Sequence, residues 1–356
     1  MVTVEQDDPG AAIEVAAPAK LNLALLVGPV RPDGFHEIAS LMVPVTLADV
    51  VVVTPTPGHD LTVDCPVCPG ERNLAARMVR EVEARLGRRF EVAVEVRKRI
   101  PVGAGLAGGS SDAVATLVAL ERLFDLDLSP RLRYEIAAAV GSDVPFFLWP
   151  GPQLAMGRGQ LLKDVELTVP LSALIVAPGS ELSTTAVYGW RDEDARVALP
   201  DFAARVRTLS SRIAAAWTLA DVAALVENDL EASVVARRPE VGAARDRLLA
   251  EDAVAAAMTG SGSAVFGLFA DVEAASRARE RILAAPGDVL GRLPPGRLRC
   301  VTDLQAGPRS ERATGALRRP PSRPPSGPRA TAPSGAPARR SHPVGRRPSR
   351  RRSTGD

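Results

Sequence analysis

Cysteine and histidine are scarce in this sequence, with three of each in 356 residues. Cys65 and Cys68 form a C-x-x-C, but no second Cys or His pair completes the four ligands of a structural zinc site. Cys300 stands alone, and the histidines are His36, His59 and His342. The pair therefore reads as a loop that happens to hold two thiols, in a protein suited to a reducing compartment. No uninterrupted apolar run reaches the ~18 residues of a membrane-spanning helix. Met1–Asp8 contains acidic residues and no basic ones, the opposite of a secretory leader, so a cytoplasmic location is expected. Lysine is missing from Gly307–Asp356, which carries 13 Arg against Glu311 and Asp356, a charge of +11. The whole chain is only +2, so residues 1–306 carry −9.

That basic stretch (306–356) is rich in Pro, Arg, Ser and Gly and poor in large apolar residues. It cannot bury enough surface to offset ordering entropy, and disorder is expected. Clustered Arg binds phosphate backbones without sequence preference, so nonspecific nucleic-acid contact by the tail is one reading. A passive extension is the plainer one. The remainder, with 46% hydrophobic and 24% charged residues over the whole chain, suits a globular protein of two domains.

Strand patterns open the folded part. Leu21, Leu23 and Leu25 alternate with Asn22 and Ala24, Val50–Thr54 is a β-branched run, and Phe90, Val92, Val94 and Val96 alternate with polar neighbours or Ala93. The last runs into Pro101-Val-Gly-Ala-Gly-Leu-Ala-Gly-Gly-Ser-Ser-Asp112, followed by apolar residues at helical spacing through Phe124. Strand, glycine loop and helix N-terminus together make an anion site suited to a nucleotide triphosphate. Glycine lets the backbone take positive φ and approach a ligand closely. Ser110 and Ser111 can cap the helix or face a phosphate. The spacing is neither that of the P-loop nor that of dinucleotide folds, and the alternative is a turn that packs a helix on a sheet.

The segment resembles the central motif of GHMP kinases, the group that includes galactokinase, homoserine kinase and the mevalonate-pathway kinases. Ala17-Pro-Ala-Lys-Leu-Asn-Leu23 and Met258-Thr-Gly-Ser-Gly-Ser-Ala-Val-Phe266 resemble its first and third motifs, in the right order. Arg31-Pro-Asp-Gly-Phe-His-Glu37, Gly141-Ser-Asp-Val-Pro-Phe-Phe147, Gly157-Arg-Gly159, Ser183-Thr-Thr-Ala-Val-Tyr188 and Asn228-Asp-Leu-Glu231 look like the members that phosphorylate a cytidine-diphosphate ester of 2-C-methyl-D-erythritol.

The resemblance implies an α+β, two-domain GHMP kinase fold. Residues 11–165 would form a ribosomal protein S5 domain 2-like ATP-binding domain, and 166–305 a ferredoxin-like substrate domain with Ala-based helices such as Leu219–Val226. Lys20 and Asp143 are its implied catalytic pair. ATP, with Mg²⁺ held mainly through the nucleotide and no metal site of the protein's own, would lie against Pro101, Val102, Gly103, Ala104, Gly105, Leu106, Ala107, Gly108, Gly109, Ser110 and Ser111, with Lys98 near the adenine and Gly260 and Ser261 completing the site. The acceptor would meet Asn22, Phe35, His36, Thr184 and Tyr188, the ring of Phe35 standing where relatives often carry Tyr. Lys20 and Asn22, two apart on a strand, point the same way. For Lys98 a solvated surface position remains open, for Thr184 a helix cap, and for Lys20 and Asp143 a buried structural ion pair. The partners implied are the small-molecule acceptor and ATP, with no membrane, in a monomer or homodimer. The rivals are a homoserine or mevalonate-pathway kinase and, from another class, a nucleic-acid-binding protein acting through the Arg tail.

Overall fold

The computed structural model describes residues 12–179, 181–194, 201–285 and 298–301, all within the unit Met1–Arg318. The Arg-rich tail and the first eleven residues lie outside the described residues, as does the side chain of Cys300.

Two long antiparallel strands, β1 (Ile13–Val30) and β2 (His36–Pro55), anchor the first sheet. Early in β1 burial alternates, with Ile13, Val15 and Ala17 inward. From Ala19 on, every residue to Gly28 is buried, so both faces of the Leu21–Leu25 alternation are covered. β2 is long enough to pair twice on its far side. Val50–Pro55 pairs with β4 (Val92–Arg97), and Ile38–Met42 with β5 (Gln153–Gly157), which in turn pairs with β6 (Leu161–Asp164). β3 (Thr62–Asp64) edges β4, and two residues from late in the chain, β8 (Glu227–Asn228), run parallel to β1 at Ala24 and Leu25.

Helices α1 (Leu74–Leu86), α2 (Gly108–Leu123) and α3 (Pro130–Val140) cover one face around Val92, Val94, Val96, Leu117 and Leu120. The second sheet is antiparallel, in the order β11 (Leu298–Val301), β7 (Ser172–Val176), β10 (Val265–Phe269), β9 (Ala255–Met258). Its outer core includes Val241, Leu248, Ala278 and Ile282 from α8 (Pro239–Ala250) and α9 (Val272–Ala284). A further cluster joins the sheets, in which Leu21 and Leu23 meet Ile175, Phe266 and Leu268, with Leu209 and Ile213 of α5 (Phe202–Ala214). The helix expected over Leu219–Val226 is only the turn and a half of α6 (Leu219–Ala223), because the chain then joins β1 as β8.

The two glycine loops meet backbone to backbone. Gly105 has φ +80°, and a Cβ there would lie 2.2 Å from the Thr259 carbonyl oxygen. Gly260 has φ +59°, and a Cβ there would lie 2.8 Å from the Gly105 oxygen. The Ala264 amide donates to the Ala104 carbonyl (3.1 Å), and the Lys20 amide to that of Leu106 (3.1 Å). Only glycine permits both the conformation and the approach. Gly58 offers the control, since its φ is also +80° but nothing lies within 4 Å of its missing Cβ. Gly58→Ala should cost about 1–2 kcal/mol by denaturant unfolding, the left-handed penalty alone. Gly105→Ala should cost roughly 2–5 kcal/mol, because overpacking adds to it. Equal losses would show that the loops do not abut.

Candidate active site

The chain between β4 and α2 turns through three left-handed residues, Gly103 (φ 63°), Gly105 and Ala107 (φ 54°), before the helix starts at Gly108. Such alternation turns successive amide hydrogens into one concavity, at the end of α2 where the first-turn N–H groups lack intrahelical partners. A non-glycine residue held at positive φ is a local strain of the kind that clusters at ligand sites. Capping by Ser110 or Ser111 does not occur, because both lie inside the first turn and Ala107 holds the N-cap position without a side-chain bond. Ser111 is buried, and its Oγ has no hydrogen-bond partner.

A cleft of about 890 Å³ opens against this loop. It is lined by Lys20, Asn22, Phe35, His36, Lys98, residues 101–110, Asp143, Thr184, Tyr188, Gly260 and Ser261. Of the residues that the sequence singles out, Ser111 alone does not line it.

Lys20 is buried, 3% exposed, with its ammonium on Asn22 Oδ1 (2.5 Å) and the Gly105 carbonyl (2.9 Å). Asp143 Oδ2 stands 3.9 Å away, on a side chain 43% exposed. This is not a buried ion pair, because one partner faces the cleft and its solvent. Burial pushes the Lys20 ammonium below its ordinary value, and Asp143 only partly restores it. Asn22 is held in turn, its Nδ2 donating to Ser40 Oγ (2.7 Å) and its amide N to Thr259 Oγ1 (2.9 Å). Its side chain thus positions Lys20 from within the protein.

Lys98 is no solvated surface lysine. Its ammonium lies between Asp49 Oδ2 (2.5 Å) and Asp112 Oδ2 (2.7 Å), beneath the phosphate loop. Asp49 Oδ1 also accepts the Ile100 amide (2.8 Å), which ties the loop's entry to β2.

Elsewhere on the cleft the β1–β2 turn presents Phe35, half exposed, and His36. His36 Nε2 lies 2.9 Å from Asp192 Oδ1, and its ring packs on Tyr188 with centroids 5.0 Å apart. Tyr188 and Asp192 both sit on α4 (Thr184–Asp194). Thr184 Oγ1 reaches Ser261 Oγ (3.0 Å), while the α4 cap contact is the Ala186 amide donating to Ser183 Oγ (3.4 Å). Asn228 Nδ2 donates to the Met258 and Gly260 carbonyls (2.7 and 2.9 Å), and Glu231 accepts the Met258 amide (2.6 Å). Asp229 accepts the Val27 amide (2.7 Å), so the Asn228–Glu231 segment fastens the second glycine loop to β1. Sequence reading gave no role to Asp49, Asp112, Asp192 or Asn228. Asp112 and Asn228 each stand in a quoted motif, whereas nothing local marks Asp49 or Asp192.

A sheet-borne glycine nest that delivers a helix N-terminus beside a buried lysine is a site for the phosphates of a nucleotide, as in a small-molecule kinase. The chain matches the GHMP kinases N terminal domain over residues 73–151 and the GHMP kinases C terminal domain over 214–288. It is 38% identical to the 4-diphosphocytidyl-2-C-methyl-D-erythritol kinase of Syntrophotalea carbinolica, over 76% of this chain and 94% of that protein. A crystal structure of 4-(cytidine 5'-diphospho)-2C-methyl-D-erythritol kinase superposes with TM-score 0.65 at 35% identity, covering 82% of this chain and 98% of the other. Homoserine kinase from Cytophaga hutchinsonii superposes with TM-score 0.63 at 17% identity over 85% and 99%, a likeness of fold alone. The chain belongs to the 4-diphosphocytidyl-2-C-methyl-D-erythritol kinase family. No helix among the described residues is long and apolar enough to cross a membrane.

The Asp49–Lys98–Asp112 cluster makes stability depend on pH. Burial raises the Asp112 carboxyl to about 7, the pull of Lys98 notwithstanding, with the Asp49 charge adding to the rise. The folded state therefore holds a proton that the unfolded chain, with carboxylates near ~4, has released. The contribution is full below about pH 4 and is lost as pH rises to about 7. Asp112→Asn, which mimics the protonated form, should flatten that dependence in unfolding experiments run from about pH 4.5 to 8. An undiminished slope in the variant would rule out Asp112 as its source.

Proposed function

We propose that this chain transfers the γ-phosphoryl group of ATP to the 2-hydroxyl of 4-diphosphocytidyl-2-C-methyl-D-erythritol, in the non-mevalonate route to isoprenoid precursors. The observation that carries the reading is the Lys20–Asp143 arrangement at the mouth of the glycine nest, in a chain of this family. In this reading the triphosphate lies along residues 101–110 with Gly260 and Ser261 closing over it. Lys98, already compensated by two carboxylates, would offer its remaining N–H to the adenine rather than net charge.

The accepting hydroxyl is tertiary, hindered and a poor nucleophile, so positioning and a base carry the chemistry. Asp143, open to the cleft, takes the hydroxyl proton. Lys20, whose charge is disfavoured by burial, becomes more favourably charged as negative charge gathers on the transferring oxygens. That interaction strengthens towards the transition state, which is what accelerates a reaction. Asn22 serves the acceptor through Lys20. Phe35, His36 and Tyr188 hold the cytosine by stacking and hydrogen bonding.

Among the described residues no group of three or more His, Cys, Asp or Glu side chains could hold a metal. Mg²⁺ is accordingly proposed to arrive on the triphosphate, its usual habit in such sites.

Assayed by ADP release, the protein should turn over the diphosphocytidyl ester and ignore mevalonate and homoserine; comparable turnover of either would sink the specific reading. Asp143→Asn should lower kcat by roughly 10²–10⁴-fold, the size of a general-base contribution. Its melting temperature should barely move, because the side chain is nearly half exposed. Lys20→Met should act similarly, and the double variant should lose much less than the two losses multiplied together. Variants that melt far lower yet keep their turnover would assign the pair to structure instead.

A further inference from the structure

Four Lys and Arg residues line the cleft: Lys20, Arg72, Lys98 and Arg158. Lys20 faces Asp143, and Lys98 lies between Asp49 and Asp112. Arg158 has no ion pair among the described residues, although its charge is felt by the Asp33 carboxyl. It sits in the turn between β5 and β6, where Arg158 N donates to Gln160 Oε1 (2.8 Å) and Gly159 N to the Met156 carbonyl (3.1 Å). The side chain, half buried, crosses the turn to Phe35, with its guanidinium carbon 5.2 Å from the ring centre. The next residue abuts the opposite end of the site, since a Cβ on Gly159 would lie 3.8 Å from Asp143 Oδ1. Arg158 therefore occupies the interval between the proposed base and the aromatic that meets the nucleobase.

We propose that Arg158 binds the diphosphate of the acceptor, and so makes the enzyme prefer a nucleoside diphosphate ester to an acceptor with fewer phosphates. The inference rests on the function proposed above. The acceptor carries its reacting hydroxyl at one end, its nucleobase at the other and its diphosphate between them. Arg158 holds the same middle position on the cleft wall. A guanidinium offers five donors in a planar fork that meets phosphate oxygens two at a time, and it stays charged at any working pH. Arg72 also lacks an ion pair among the described residues, but it neighbours Asn73 and Leu74, and Leu74 packs by Gly109 on the phosphate loop. It stands on the nucleotide side.

A bracing role for Phe35 is the competing account, and the two differ in what they do to cytidine and to CDP. Wild type should bind CDP tighter than cytidine in calorimetric titrations of the full chain. Arg158→Leu should weaken CDP roughly 10- to 100-fold, as for a lost hydrogen bond to a charged group, and leave cytidine unchanged. KM for the diphosphocytidyl acceptor should rise by a similar factor while KM for ATP holds. Arg158→Lys, which keeps the charge without the fork, should fall between. Equal weakening of cytidine and CDP would reduce Arg158 to a brace, and unchanged affinity for both would remove it from the site; either overturns the inference while leaving the proposed function standing. Failure of wild type to turn over the acceptor would overturn both.

Discussion

The closest constraint in the molecule is the contact between two stretches of bare backbone. A Cβ on Gly105 would strike the Thr259 carbonyl oxygen and one on Gly260 the Gly105 oxygen, and both glycines are in the left-handed region. From that contact the rest of the cleft is laid out. The Gly105 carbonyl, turned by the same geometry, accepts the Lys20 ammonium. Thr259, one residue before Gly260, holds the amide of Asn22. The glycine nest, the buried lysine and its supporting amide are thus fixed by one joint between loops that lie more than 150 residues apart.

Two lysines on the same cleft receive opposite electrostatic treatment. Lys98 has two carboxylates within hydrogen-bond distance, and its ammonium is held above the ordinary value despite burial. Lys20 has neutral oxygens at hydrogen-bond distance and a single carboxylate further off, and its ammonium is held below. A group whose charge is already satisfied makes a rigid wall. A group whose charge is under-supplied responds when a polyanion enters, which is the property a phosphoryl-transfer site needs.

Much of this cleft was legible in the sequence, for identifiable reasons. Glycine spacing between Pro101 and Asp112 encodes backbone conformation directly, and the parity of Lys20 and Asn22 follows from the strand period. The side chains that sequence reading left without a role are supplied at long range. Asp49 lies 49 residues from Lys98, and Asp192 lies 156 from His36. No local pattern distinguishes such a carboxylate from a solvated one. Ser110 and Ser111 misled for a related reason, because serine before an apolar run is a good cap signal. Here the preceding glycines and Ala107 start the helix earlier and draw both serines into its first turn. Burial of both faces of β1 was equally hidden, since it depends on a second sheet formed much later in the chain.

β1 is hydrogen-bonded to β2 on one side and, at Ala24 and Leu25, to Glu227 and Asn228 on the other. A strand made early in this sequence is therefore completed by residues made some two hundred positions later. Contacts of such sequence separation carry a loop-closure cost that must be met before they stabilise anything, and they slow folding. A nascent chain can lay down the helices over the first sheet while β1 still has an open edge. The lysine on that strand meets Asn22, Gly105 and Asp143 within the first half of the chain, whereas Thr259, which holds the amide of Asn22, is made more than a hundred residues after them.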